Sequence, residues 1–151
     1  MMQMLNEKCS EALYLIVSII LLFSCTPQSD NRQDYSPKFQ QYYAEGELLY
    51  HQYCGNCHQS NGKGLGRLYP PIDHSDFMDE EFEDVVCTIK YGKEGVLIVN
   101  GVEYNMAMKG NPGLTELEVA EIVTYIYNTW SHKKGMVDVK EVTQVLLTCN
   151  N

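Results

Sequence analysis

The sequence predicts an all-α domain that ends in an additional C-terminal helix. Apolar residues recur at helical spacing over Asp79–Tyr91, Leu114–Trp130 and Val139–Cys149. Thr115 is followed three residues later by Glu118, which is the signature of a helix capping box. The 151 residues fit one domain of ordinary size. Together these features favour a single small helical domain with an extension.

The composition excludes two classes of protein. Apolar residues make up 44% and charged residues 21% of the chain, which is typical of a globular protein rather than a disordered one. Eleven Lys and Arg stand against 20 Asp and Glu, for a formal net charge of -9. Non-specific nucleic-acid binding depends on neutralising phosphates, so this balance argues against a nucleic-acid partner.

The chain begins with a segment typical of export. The apolar run Ala12–Phe23 has 12 residues, whereas a transmembrane helix needs about 20. Its length suits the apolar region of a secretory signal. It ends in Leu22-Phe23-Ser24-Cys25, which resembles a bacterial lipobox, where the chain is cut before the cysteine and that cysteine is lipidated.

This resemblance implies a lipoprotein signal peptide over residues 1–24 and a polar tether over 25–37. Cys25 would carry the lipid, and the protein would be a membrane-anchored lipoprotein of the bacterial periplasm or cell envelope. One feature departs from the pattern, because Lys8 is offset by two neighbouring glutamates. The alternative for this segment is a buried core helix with a chance cysteine.

Residues 54–58 read Cys-Gly-Asn-Cys-His, and C-x-x-C-H is the attachment signal of c-type haem. The thiols of Cys54 and Cys57 are spaced to add to the two vinyl groups of the porphyrin, and His58 then lies under the ring to ligate iron. Three alternatives remain: half of a zinc site, a thioredoxin-like redox pair or a structural disulfide. The first lacks a second cysteine pair, and the second lacks a strand–motif–helix context.

With this motif, the chain resembles the small monohaem class I-type cytochromes c with His and Met axial ligands, over about residues 38–131. A helix with an apolar stripe precedes the motif. In the family, a glycine in this stripe lets the first helix pack closely against the C-terminal helix. The residues of this stripe are Phe39, Tyr42, Tyr43, Gly46, Leu49, Tyr50 and Tyr53. The resemblance implies a small cytochrome c fold around one covalently attached haem c, and residues 132–151 form a helical extension beyond it.

The resemblance also implies the residues around the iron. His58 is the proximal ligand, the Pro70 carbonyl accepts the N–H of its ring, and Ile72 lies against the haem face. Met108 matches the family position of the distal ligand, with Met106 as the competing candidate. The family usually has proline after this methionine; Lys109 stands there instead, which predicts a less stiff ligand loop.

Two cysteines remain after the haem and lipid assignments. Cys87 lies near the apolar face of the Asp79–Tyr91 helix, and Cys149 ends the stripe of the last helix. Because spare thiols seldom stay free in an oxidising compartment, one hypothesis is a disulfide that joins the extension to the domain. The alternative is a pair of small buried thiols.

Three further segments carry weaker signals. Val96–Tyr104 is rich in β-formers around Asn-Gly, which predicts either a short hairpin or an apolar loop along the haem edge. The other histidines offer bis-His ligation, but each is expected to be a surface or turn residue; they are His51, His74 and His132. Three basic residues lie in segments that contain no Asp or Glu; they are Lys63, Arg67 and Lys109. They predict either a positive rim that orients docking or ordinary solvated side chains.

The predicted function is one-electron transfer in a bacterial respiratory chain. The carrier would be a monomer that meets redox protein partners, such as an oxidase, reductase or dehydrogenase, and it would not be an enzyme. A different class is a haem-based sensor or peroxidase-like enzyme with a labile distal methionine. A third is a non-haem metal or structural module.

Overall fold

A computed structural model describes residues 36–149. Its elements in chain order are α1 Pro37–Tyr53, α2 Gly55–His58, α3 Asp76–Glu80, α4 Phe82–Tyr91, β1 Gly92–Lys93, β2 Leu97–Val99, β3 Val102–Tyr104, β4 Met108–Lys109, α5 Glu116–Thr129 and α6 Val139–Thr148. Helices dominate, which confirms the predicted all-α class. Within the described range no helix is long and apolar enough to cross a membrane. The predicted signal peptide and Cys25 lie outside the described residues, as does nearly all of the tether.

Helices α1 and α5 cross at the centre of the fold. Ser36 caps α1 by accepting the Phe39 N–H at 3.2 Å, and Pro37 occupies its first turn. At the crossing, a Cβ atom on Gly46 would overlap the backbone carbonyl of Glu121 and lie 2.8 Å from the Tyr125 Cβ. Glycine therefore sets how closely the two helices approach.

Helix α5 is more deeply buried than an amphipathic surface helix. Its predicted capping box is confirmed: Thr115 Oγ1 accepts from the Glu118 N–H at 3.2 Å, and Glu118 Oε2 accepts from the Thr115 N–H at 2.7 Å. Every residue over 119–128 is buried. The helix is thus surrounded by other elements, and the residues at its start keep contact with solvent.

The predicted helix Asp79–Tyr91 is wrong as a single element. The structure has α3 and α4, separated at Glu81, whose backbone angles are φ -121° and ψ 49°. The Tyr127 hydroxyl donates to the Met78 carbonyl at 2.7 Å, so a buried side chain from α5 satisfies a carbonyl that a continuous helix would have used. This tertiary contact is not visible in the local sequence pattern.

The strands form two short antiparallel pairs. In the β2–β3 hairpin, Asn100 and Gly101 have φ of 52° and 72°, as a two-residue turn of the favoured hand requires. Of the two alternatives for this segment, the hairpin is the one observed. The second pair, β1 with β4, was not predicted; it aligns Lys93 with Met108 and Gly92 with Lys109.

The C-terminal extension is part of the same core. Asp138 caps α6, and Val142 and Val145 are buried. The Val137 N–H donates to Thr124 Oγ1 at 3.1 Å, and this hydroxyl donates to the Val137 carbonyl at 3.4 Å. The extension therefore packs on α5 through apolar side chains and through a buried hydroxyl.

Covalent and ionic contacts also join this extension to the rest of the domain. Cys87 and Cys149 form a disulfide with a Cα–Cα distance of 5.7 Å, which joins α4 to the end of α6. At the other end of α6, Lys38 Nζ lies 2.6 Å from Asp138 Oδ2. Because the latter pair is exposed, its contribution to stability is small.

Candidate cofactor site

An apolar cavity lies between α1, α3, α4 and α5. It has a volume of ≈ 70 Å³ and shares lining residues with an outer cleft of ≈ 390 Å³. Residues that line both spaces come from five different parts of the chain; they are Cys54, His58, Pro70, Thr88, Leu97 and Met108. The candidate residues that the sequence motif and the methionine segment supply are therefore brought together at one place.

His58 ends the short helix α2 with its ring fixed. Its Nδ1 lies 3.0 Å from the carbonyl oxygen of Pro70. A carbonyl only accepts, so Nδ1 carries the proton and Nε2 has a free lone pair. Nε2 makes no hydrogen bond to any residue between 36 and 149. Burial lowers the pKa of His58 despite the opposing bond to Pro70, so the ring is a neutral nitrogen donor.

The two cysteines of the motif are both free thiols. They belong to one helical turn, in which the His58 and Cys57 N–H groups donate to the Cys54 carbonyl at 3.0 and 3.1 Å. Burial, and then the nearby Cys57 sulfur, raise the pKa of Cys54 to about 12. A thiol that stays protonated is unlike the activated thiolate of a redox pair. Nor does any group of three His, Cys, Asp or Glu within the described residues form a metal cluster.

The loop after the motif carries Pro70 and Ile72 to the cavity wall. Ile72 is buried and its N–H donates to the Gly62 carbonyl at 2.7 Å, while the Gly64 N–H donates to the His58 carbonyl at 3.0 Å. Gly64 has φ of 67°, and a Cβ there would overlap the Tyr69 carbonyl. The loop is thus folded tightly back on the motif, which positions the Pro70 carbonyl beside the imidazole.

The two candidate methionines occupy different positions. Met108 lines both the inner cavity and the outer cleft, whereas Met106 lines the cleft and is 51% exposed. Met78 is buried and also lines the inner cavity. Among these, Met108 combines access to the cavity with a half-buried side chain, so its thioether is a sulfur donor on the same cavity that His58 lines.

The backbone on either side of Met108 is held by other strands and by α4. Gly92 and Gly110 allow a close approach, since a Cβ on Gly92 would lie 2.6 Å from the Met108 carbonyl oxygen, and one on Gly110 would overlap the Tyr91 backbone. Beyond them, the Asn111 N–H donates to the Ile89 carbonyl at 3.1 Å. These contacts restrain the segment in which Lys109 stands in place of proline.

The remaining histidines lie away from the cavity lining. His51 and His74 are exposed, as expected of surface residues. For His132 this expectation is wrong: it is buried, and its two ring nitrogens lie 2.8 Å from Asp79 Oδ1 and 2.9 Å from the Ile72 carbonyl oxygen. The sequence gives no local signal for this burial, because both partners are distant along the chain.

The three basic residues of the predicted rim are all exposed, and Lys109 lines the outer cleft. Lys63 and Arg67 belong to the loop after the motif, where they are not part of either lining. The structure thus brings Lys109 to the mouth of the cavity, and it does not test whether the rim orients docking.

Sequence reasoning did not single out several residues as part of the cavity, although they lie in segments that it had named. Tyr50 is fully buried at the cavity, and its hydroxyl donates to the Gln59 carbonyl at 2.6 Å, next to His58. Leu97 and Val99 line the cavity from β2, while the intervening Ile98 is 64% exposed. The period-two alternation of this strand is the signal by which the inward residues were detectable.

Comparison with known proteins gives one family and two kinds of relatives. Residues 41–126 match the family described as cytochrome c oxidase, cbb3-type, subunit III. Cytochrome c-552 of Thermus thermophilus is 31% identical over 104 residues, which cover 66% of this chain and 79% of the relative. The cytochrome c subunit of an alcohol dehydrogenase (quinone) of Gluconacetobacter polyoxogenes is 26% identical over 144 residues, which cover 88% of this chain and 30% of the relative.

Proposed function

The chain belongs to the cytochrome c family and is a haem-based electron-transfer protein, and we propose that it holds one haem c, bound covalently through Cys54 and Cys57, with His58 and Met108 as axial ligands. The observation that carries this proposal is that Cys54, His58 and Met108 line both the apolar cavity and the outer cleft, and that Cys57 lines the cleft beside them. When bound, the haem supplies an iron that cycles between Fe(II) and Fe(III).

The chemistry of the donors supports this assignment. A neutral imidazole with a free Nε2 and a thioether are the ligand pair of cytochromes c. The Pro70 carbonyl, 3.0 Å from Nδ1, fixes the orientation of the His58 ring and makes the opposite nitrogen more basic. The inner cavity has apolar walls, and the two free thiols stand on the lining of the outer cleft beside the imidazole.

The choice of Met108 over Met106 follows from position. Met108 lies on β4, which is paired to β1, and its side chain lines the inner cavity. Met106 precedes this strand and exposes half of its surface. Met108 lines both the inner cavity and the outer cleft together with His58, whereas Met106 lines the outer cleft alone, and this difference in position supports Met108 as the ligand.

A carrier, rather than an enzyme, follows from the filled coordination sphere that this ligand pair gives. If His58 and Met108 both held the iron, the site would have no open position for a substrate, and electron transfer to a partner would use the outer cleft. We infer that a monomer docks with redox protein partners of a respiratory chain. One relative is a subunit of an alcohol dehydrogenase (quinone), which supports a dehydrogenase or its electron acceptor among such partners.

The proposed cellular location rests on the sequence before residue 36. A signal peptide over 1–24 and lipidation of Cys25 would anchor the protein at a membrane of the bacterial cell envelope, facing the periplasm or the exterior. Because an anchor raises the local concentration of the carrier near its membrane partners, it would favour repeated short-lived docking. Substitution Cys25→Ala should release the protein from the membrane fraction, and its continued retention there would contradict the anchor.

Absorption spectroscopy tests the haem and its ligands. The full chain should be produced with the haem maturation factors and its reduced spectrum recorded with and without carbon monoxide. We expect haem that stays attached on denaturation and a reduced spectrum that carbon monoxide scarcely changes. Protein without a Soret band would overturn the proposal and favour a structural or non-haem metal module. Strong carbon monoxide binding by the wild type would favour the sensor or peroxidase-like alternative.

A matched pair of variants tests the distal ligand. Met108→Ala should bind carbon monoxide readily and lose the thioether ligand, while Met106→Ala should behave as the wild type. Both variants remove the same side chain, two residues apart, so a general effect of losing methionine is controlled. The reverse result would assign the distal position to Met106.

A further inference from the structure

Gln59, the residue that follows His58, has a backbone conformation that is unusual for a residue other than glycine. Its φ is 63° and its ψ is 158°. A Cβ atom is crowded in this region, so residues other than glycine persist there only where the surrounding structure holds them in place. Because Gln59 is joined directly to His58, contacts that hold this conformation also restrain the backbone that carries the imidazole.

The hydroxyl of Tyr50 makes one of these contacts. It donates to the Gln59 carbonyl at 2.6 Å, and the same carbonyl accepts the Gly62 N–H at 3.1 Å. One residue earlier, the Gly64 N–H donates to the His58 carbonyl at 3.0 Å. Both carbonyls that flank the strained residue are therefore bonded, and Tyr50 supplies a side chain where the other two donors are backbone groups.

The ring of Tyr50 is fixed by its own packing. Tyr50 lies in α1, its side chain is fully buried, and it lines the inner cavity together with His58. Its ring centroid lies 5.4 Å from those of Tyr125 and of Trp130. The crossing of α1 and α5 thus sets the position of the hydroxyl, and the hydroxyl in turn restrains Gln59.

The restraint on Gln59 reaches the imidazole through the His58 backbone. The ring is oriented by a bond from Nδ1 to the Pro70 carbonyl, 3.0 Å away. A relaxation of Gln59 to an ordinary conformation would turn the adjoining peptide group and shift the start of the His58 side chain relative to Pro70. The bond at Nδ1 would then weaken, and a weaker bond there makes Nε2 less basic.

We propose that the Tyr50 hydroxyl is a positioning group for the proximal ligand: by holding Gln59 in its strained conformation, it fixes the orientation of the His58 imidazole. This rests on the proposed function. A more basic ligand favours the oxidised state of the site, so the hydroxyl lowers the midpoint potential. If the hydroxyl only satisfied a polar atom in the core, its removal would lower stability and leave the ligand unchanged.

The test is the variant Tyr50→Phe in the full-length holoprotein, because it keeps the ring and removes only the hydroxyl. Proton NMR of the reduced protein measures the exchange of the His58 Nδ1 proton with deuterated solvent. We expect exchange about tenfold faster, since losing a buried hydrogen bond shifts a local opening equilibrium by roughly that factor. If the preference of the ligand for the oxidised site falls about threefold, the potential rises by about 28 mV, at about 59 mV per tenfold for one electron.

Tyr43→Phe is the matched control. Tyr43 lies on the same helix and in the same aromatic cluster, with its ring centroid 5.2 Å from that of Tyr125. Its hydroxyl lies 3.0 Å from Thr129 Oγ1 in α5 and does not contact the motif. This variant should keep the wild-type exchange rate and potential. The inference is overturned if Tyr50→Phe keeps both wild-type values, or if Tyr43→Phe shifts them equally.

Glycine at position 59 tests the role of the strained backbone. Glycine adopts this conformation at no steric cost, so the hydroxyl should matter less when residue 59 is glycine. The double variant Tyr50→Phe/Gln59→Gly should therefore lie closer to Gln59→Gly than Tyr50→Phe lies to the wild type, in both exchange rate and potential. An equal effect of Tyr50→Phe in the two backgrounds would contradict the positioning role.

The spectrum separates this result from failure of the proposed function. A wild type that lacks attached haem or methionine ligation contradicts the proposed function. A wild type with both, in which Tyr50→Phe alters neither the Nδ1 proton exchange nor the potential, contradicts only the role of the hydroxyl. Thermal unfolding of Tyr50→Phe and Tyr43→Phe, recorded alongside, shows whether the two variants lose comparable stability.

Discussion

Gly46 of α1 faces the backbone of Glu121 in α5 without space for a single additional carbon atom between them. A Cβ atom at position 46 would overlap the Glu121 carbonyl and lie 2.8 Å from the Tyr125 Cβ. Residues on either side of this point form the centre of the core, including the fully buried Tyr50 and Ile122. The separation of the two longest helices among residues 36–149 is therefore set by one glycine.

Substitution Gly46→Ala should separate α1 from α5. Alanine in a helix interior would otherwise stabilise by about 1 kcal/mol relative to glycine. Here the added methyl group would overlap the Glu121 backbone, which cannot rotate aside as a side chain can. We therefore expect a net loss of about 3 kcal/mol in the free energy of unfolding. Urea unfolding measures this loss. Gly113→Ala is the control, because a Cβ there meets nothing within 4 Å, and it should change stability by less than about 0.5 kcal/mol. Equal stability of the two variants would contradict the prediction.

The strand that carries Met108 should depend on Gly110 in the same way. A methyl group on residue 110 would overlap the Tyr91 backbone and force β4 away from β1. About 1.4 kcal/mol of such strain shifts a local opening equilibrium tenfold, so Gly110→Ala should bind carbon monoxide at least about tenfold more readily than the wild type. Gly113→Ala, in the next turn, should match the wild type. If Gly110→Ala remains closed to the gas, the strand pair does not restrain the ligand segment.

Local signals in the sequence were sufficient for several elements of the fold. The capping box of Thr115 and Glu118 was predicted, and the Asn100-Gly101 turn was one of two alternatives for its segment, because each depends on residues a few positions apart. The candidate site was indicated for a similar reason: its two thiols and imidazole lie within residues 54–58. Such features do not require knowledge of the tertiary structure.

What the sequence could not supply are the contacts between distant segments. The break between α3 and α4 depends on the Tyr127 hydroxyl, which reaches the Met78 carbonyl from another helix. The burial of His132 depends on Asp79 and on the Ile72 carbonyl. The β1–β4 pair consists of two residues on each side, too short for a periodic pattern. Each of these follows from how the helices pack, and a single sequence does not encode it locally.

Removal of the disulfide should destabilise the domain without removing the cofactor. Cys87 and Cys149 are 62 residues apart, and on the chain-entropy model a loop of this length contributes about 4 kcal/mol through the unfolded state. The double variant Cys87→Ser/Cys149→Ser should lose up to this amount in urea unfolding while its absorption spectrum remains that of the wild type. α6 should stay folded in mild conditions, since Val142 and Val145 are buried.

Reductant gives the matching control for the disulfide. It should lower the unfolding midpoint of the wild type and leave that of the double variant unchanged. Intact mass after reduction should rise by two hydrogens in the wild type, once the mass of any haem is subtracted. An unfolding midpoint of the wild type that reductant does not move would show that the crosslink contributes nothing.

Glu121→Gln should stabilise the protein at neutral pH and have no effect in acid. Burial, and then the charges of Glu45 and Glu118, raise the pKa of Glu121 above its ordinary value. Below that ordinary value the carboxyl is protonated in both the folded and unfolded states, so it has no pH-dependent effect. Above the raised folded value it is ionised in both, and the ionised form disfavours the folded state. The stability gained by the neutral amide therefore grows as pH rises above the ordinary carboxyl value and is complete once pH exceeds the raised folded pKa.

Thermal unfolding at pH 4 and at pH 7 measures this difference. The gain of Glu121→Gln over the wild type should be larger at pH 7, whereas Glu103→Gln, on the exposed side of β3, should give nearly the same small change at both pH values. A gain for Glu121→Gln that does not depend on pH would mean that the buried carboxylate is not the cause. A loss of stability at pH 7 would mean that the ionised group is better accommodated at the helix crossing than its burial implies.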